Sequence, residues 1–90
     1  MTVAKTVVQI RSGDGLNLLG AATLARTAGK FTARAIVGCR KNQVSAKSVM
    51  ELITLEAEQG SKLTLWAEGD DATEAIAAIQ ALFNKGFDLE

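Results

Sequence analysis

Lys62-Leu63-Thr64-Leu65-Trp66-Ala67-Glu68 alternates apolar and polar side chains without a break. A strand turns successive side chains to opposite faces, so Leu63, Leu65 and Ala67 point one way and Lys62, Thr64, Trp66 and Glu68 the other. One covered face and one open face is the pattern of an antiparallel sheet packed on a single layer. Gly69-Asp70-Asp71 then turns the chain into a helix. Asp70 or Asp71 caps it, and both acids suit the positive end of the helix dipole. Ile76, Ile79, Leu82 and Phe83 form its core stripe, and Lys85-Gly86 closes it with a cation and then a glycine.

Working outward, Ser48-Val49-Met50-Glu51 has capping-box spacing, with Ser at the cap and Glu three residues on. Val49, Leu52, Ile53 and Leu55 follow at helical spacing, and Gly60 ends the piece. Upstream, Phe31 to Cys39 reads as a strand with Ala33, Ala35 and Val37 on one face and Thr32, Arg34 and Ile36 on the other. Arg40-Lys41-Asn42 is a polar turn, and Gln43 to Ser45 closes a hairpin.

Leu16 to Gly29 reads as a helix capped by Asn17, with Leu18, Ala21, Ala22, Leu24, Ala25 and Ala28 as its apolar stripe. Gly20 sits in its first turn, and Gly29 is expected at C′. Val3 to Arg11 is the first strand, with Thr6, Val8 and Ile10 on one face. Ser12-Gly13-Asp14-Gly15 breaks it. The order β-α-β-β-α-β-α predicts an α+β fold. It is a two-layer open-faced sandwich, one domain over residues 1–90, with three helices on one face of a four-stranded antiparallel sheet.

Composition narrows the chemistry. Ten Lys and Arg balance ten Asp and Glu, so electrostatically driven nucleic-acid or membrane-surface binding is not expected. No run of about 18 apolar residues is present, so no membrane insertion is expected. Met1 to Lys5 has no long apolar stretch of a secretory signal. The chain has no His, no Pro and no Tyr. A Ser-His-Asp triad, a His-ligated zinc and a phosphohistidine are therefore excluded. The single Cys39 forms no intrachain disulfide, which fits a reducing, cytoplasmic compartment.

Three stretches resemble the HPr family, small phosphocarriers of the bacterial phosphotransferase system. Gly15-Leu16-Asn17-Leu18-Leu19-Gly20-Ala21-Ala22 stands where the family has Gly-Leu-His-x-Arg-Pro-Ala-Ala. Ser45-Ala46-Lys47-Ser48 matches the stretch opening the short second helix, and Ala67-Glu68-Gly69-Asp70 matches the end of the last strand. The resemblance spans nearly the whole chain and implies strand order 1-4-2-3. It also places Asn17 at the phosphoacceptor histidine, Leu19 at the phosphate-binding arginine and Gly20 at the proline. An amide nitrogen has its lone pair tied up in resonance, and Leu donates no hydrogen bond to phosphate. The resemblance therefore implies a member that does not carry phosphate by the family's usual route.

Each marked residue has a plain structural reading beside the functional one. Asn17 is a favoured helix cap, or it stands in for an unphosphorylated histidine, as in regulatory HPr-like proteins with Gln there. Ser48 caps its helix, or it is the serine that an ATP-dependent kinase modifies in some family members. Leu18, Leu19, Val49, Met50 and Ile53 pack into the core, or with Asn17 they make the partner-docking surface that the family places at the starts of helices one and two. Trp66 packs across strands against Val7 or Ile36, or it takes part in a dimer through the open sheet face. Cys39 has basic neighbours but no partner Cys. Glu56, Glu58, Asp70 and Asp71 read as solvated surface. No pair of acids has a context for metal ligation or acid–base catalysis.

The leading reading is a non-catalytic HPr-like protein that docks on proteins of the phosphotransferase system or its regulatory branch. A serine kinase acting on Ser48 would control it, and no cofactor or metal is needed. Two alternatives are a self-associating scaffold, here a homodimer, and a phosphocarrier homologue with residual activity through another residue. An enzyme using Cys39 or Ser48 as nucleophile lacks a base, an oxyanion constellation and a cofactor motif.

Overall fold

The structure, a computed structural model, describes residues 2–11, 13 and 15–85. Ser12, Asp14 and Gly86, read above as turn and helix-end residues, lie outside the described residues. The elements run β1 (Val3–Gln9), α1 (Leu18–Gly29), β2 (Arg34–Cys39), β3 (Asn42–Ser45), α2 (Val49–Thr54), β4 (Lys62–Glu68) and α3 (Ala72–Asn84). The four strands form one antiparallel sheet in the order β1-β4-β2-β3, as the resemblance implied. The architecture is the expected α+β sandwich with three helices.

β4 and β2 are the interior strands, and β4 is paired along its whole length to β1 and from Thr64 to Glu68 to β2. Its inward side chains Leu63, Leu65 and Ala67 are buried, as alternation required. Val8 from β1, Ala35, Val37 and Cys39 from β2, and Leu24, Leu52, Ile79 and Phe83 from the helices complete the core. α3 packs on β1 and β4, while α1 packs on α2 and α3. Leu82 is only half-buried, at the margin of the α3 stripe, and Leu18 and Ala22 of the expected α1 stripe face solvent.

Several boundaries differ from the sequence reading, each for a non-local reason. β1 stops at Gln9 rather than Arg11, because its ladder partner begins at Lys62. Ile10 instead exchanges backbone bonds with the preceding turn, its N–H to Ser61 O at 3.0 Å and its carbonyl to Gly60 N at 2.9 Å. β2 begins at Arg34 rather than Phe31. The Phe31 N–H donates back to Ala28 O, and the Thr32 and Ala33 N–H groups donate to the Asp71 carboxylate.

Asp71 is thus the N-terminal flanking residue of α3 but makes no side-chain cap there. Its carboxylate reaches 39 residues back, accepting from Thr32 N and Ala33 N, each at 2.8 Å, and from Thr32 Oγ1 at 3.3 Å. It is not merely solvated surface. The hydrogen bond from the Thr32 N–H is the main cause that holds its carboxyl below the usual range, with the Ala33 N–H and Thr32 hydroxyl acting in the same sense against partial desolvation.

α1 closes without the expected left-handed glycine. Gly29 lies inside the last turn, and Lys30, in right-handed geometry, donates its N–H to Thr27 O. The capping box of α2 is half formed. Ser48 Oγ accepts from Glu51 N at 3.2 Å, but the Glu51 carboxylate takes the Ser45 N–H at 3.3 Å. The Ser48 N–H is already committed to Ser45 O.

Candidate functional site

The loop between β1 and α1 is fastened by backbone. The Leu16 N–H donates to Ala57 O at 2.9 Å, which ties the entry of α1 to the segment between α2 and β4. Gly15 makes this approach feasible. It has φ +68°, and a Cβ there would run into the Ala57 carbonyl oxygen and come within 3.0 Å of Glu58 Cα. Leu16 is buried beside it, and the chain then passes through Asn17 in extended geometry into the helix.

Asn17 has its side-chain oxygen on the Gly20 N–H at 2.9 Å. That bond satisfies one of the orphan donors of the first turn, an interaction worth about 1 kcal/mol. The structural reading of Asn17 is therefore observed. No acidic residue and no cation stands in that first turn. Two buried positions follow the cap, Gly20 and Ala21. Thr23, also buried, donates its hydroxyl to Leu19 O at 2.9 Å, so its polar group is satisfied within the helix.

Leu18 and Leu19 are the first two residues of α1 and are 65% and 62% exposed. On α2, Met50 is 74% exposed and Ile53 38%. Val49 is half-buried and packs against the core, so it contributes to the core as much as to the surface. Leu52 points fully inward. α1 and α2 pack on each other, and among the described residues the exposed large apolar side chains outside β1 all belong to these two helices. Ser48, half-buried, lies immediately before this stretch of α2. Lys47 beside it donates its ammonium to Phe31 O at 2.8 Å, which pins the β3–α2 connection to the end of α1.

Cys39 is buried on the core side of β2. Among the described residues no group of three or more His, Cys, Asp or Glu is placed to hold a metal ion. Among the described residues no helix is long and apolar enough to cross a membrane. Trp66 sits half-buried on the open face, directly opposite Ile36 on β2 and Lys5 on β1, not opposite Val7. The Arg34 guanidinium stands 5.9 Å from its ring centroid. Sequence reasoning missed that contact and the reach of Asp71, because both depend on which strands and loops become neighbours.

Comparison with known proteins agrees with this geometry. The family model described as PTS HPr component phosphorylation site matches residues 4–85. The HPr-like protein Crh of Halalkalibacterium halodurans is 35% identical over 87% of this chain and 93% of its own. The phosphocarrier protein HPr of Treponema pallidum is 33% identical over 98% of this chain and 99% of its own. The crystal structure of HPr-C-His from Thermoanaerobacter tengcongensis superposes with a TM-score of 0.91 at 36% identity, covering 97% of this chain and 98% of that one. A sheet in the order β1-β4-β2-β3, a capped α1 entered through a left-handed Gly15 and a match over residues 4–85 together place the chain in the HPr family of phosphotransferase-system proteins, with relatives named as phosphocarrier or HPr-like proteins.

Proposed function

We propose that residues 1–90 act as one HPr-like domain that docks on proteins of the phosphotransferase system or its regulatory branch without carrying phosphate on a histidine. The observation that carries this reading is Asn17. It stands at the family's phosphoacceptor position by resemblance, and its side-chain oxygen is engaged with Gly20 N in a chain that contains no His. Leu19, at the arginine position, offers no donor to a phosphoryl group. The docking surface consists of Asn17, Leu18, Leu19, Met50 and Ile53, with Val49 at its buried margin. Exposed apolar side chains at two helix starts favour burial against a partner, and a flexible Met suits more than one partner.

Ser48 is the regulatory position in this reading. A phosphate there would add about two negative charges at the start of α2, two residues before Met50, and so discourage apolar docking. The protein works in the cytoplasm, where the phosphotransferase partners and a serine kinase would meet it. The test is incubation with phosphoenolpyruvate and the general phosphotransferase enzyme, followed by intact mass. No acid-labile phosphoryl adduct is expected. A stoichiometric adduct that acid removes would overturn the loss of carrier activity and point to another acceptor residue.

A further inference from the structure

The sheet face away from the helices is not used by the docking role. The strand register lays three rows of side chains across it. The middle row is Lys5 on β1, Trp66 on β4, Ile36 on β2 and Ser45 on β3, each directly opposite the next. Three strand spacings of about 4.8 Å make this row about 14 Å long. A cleft of about 580 Å3 lies over it, within the range of small-molecule sites.

Its two ends differ. At the Trp66 end the Arg34 guanidinium lies over the ring, 5.9 Å from the centroid, and Lys5 stands beside it. Glu68 stands opposite Arg34 in the adjoining row, so two cations face one carboxylate there. At the β3 end Gln43 and Ser45 supply polar edges, and the Glu51 carboxylate, bonded to Ser45 N, closes it.

The floor has a notch. The next row runs Val7, Thr64, Gly38 and Gln43. A Cβ at Gly38 would meet Gln43 Cγ at 3.7 Å and Thr64 Cβ at 3.8 Å, which are ordinary contacts. The backbone therefore does not demand glycine. A glycine inside a strand costs stability and marks a place where another group comes close.

We propose that this cleft binds a nucleoside monophosphate. The base lies flat over Ile36, with Trp66 and Thr64 beside it and the gap at Gly38 adjoining, and Gln43 and Ser45 meet its polar edge. The phosphate is taken by Lys5 and Arg34. An apolar floor tolerates any base, and charge-assisted bonds orient the anion. The site shares no residue with the proposed docking surface, although Glu51 of α2 closes one end of it, and its occupancy does not depend on the docking role.

Trp66 is the sole Trp and the chain has no Tyr, so intrinsic emission reports the cleft directly. Adenosine monophosphate titrated into the full chain should change Trp66 emission saturably, with inorganic phosphate giving no response and adenosine binding more weakly. Lys5→Ala with Arg34→Ala should weaken binding at least about tenfold. Gly38→Val should abolish the response with the circular-dichroism melting temperature unchanged or raised. The proposal is overturned by any of three results. These are no saturable response to the nucleotide, an inorganic phosphate response of equal strength, or nucleotide affinity unaltered in the Lys5→Ala/Arg34→Ala variant.

Discussion

Gly15 is the residue on which the entry of α1 turns. Its left-handed backbone and its close approach to the Ala57 carbonyl leave no room for a side chain. Gly15→Ala should cost about 2 kcal/mol or more, from backbone strain and from loss of the Leu16 N–H bond to Ala57 O. Urea unfolding of the variant is the measurement, and an unchanged midpoint would refute the account. Asn17, two residues on, caps α1 through its side-chain oxygen, so under the proposed function a change from histidine at this position need not harm the fold.

Among the elements, α3 and β2 are joined by a single carboxylate. Asp71 gives up the cap of α3 to hold the Thr32 and Ala33 N–H groups, which otherwise would be left without partners where β2 begins. The sign of the pH effect follows. A folded-state carboxyl held below its unfolded value contributes stability that is present above the unfolded pKa, and that stability is lost as pH falls through the depressed folded value. Asp71→Asn should therefore melt below the parent at neutral pH, with the gap closing as pH falls beneath the usual carboxylate range. A gap independent of pH would show that charge on Asp71 plays no part. The same element scale explains α2. With six residues it relies on Ser48, on Glu51 turned back to Ser45 and on Leu52 in the core, rather than on intrinsic helix stability.

At the scale of the whole molecule, a neutral chain buries most of its apolar residues in one cluster, and among the described residues the exposed large ones lie on β1, α1 and α2. Leu19→Arg probes that distribution. Leu19 is exposed, so the change should alter stability by no more than about 0.5 kcal/mol. Light scattering over a concentration series should give a monomer throughout for the parent. A parent dimer that Leu19→Arg dissociates would replace docking on a partner with self-association.

How much of this was readable beforehand follows from the range of the forces involved. Alternation over residues 62–68, helical spacing in three segments, and caps at Asn17 and Ser48 are local, and the sequence alone determined the element order, the inward residues of the strands and the α+β class. Resemblance supplied the strand order and the significance of Asn17. The tertiary structure alone decided where Asp71 spends its carboxylate, why Gly15 tolerates no Cβ, and which side chains share a row with Trp66. These depend on chain segments about 30 to 60 residues apart. Their pairing is set by register and by competition for backbone donors, neither of which leaves a periodic trace along the chain.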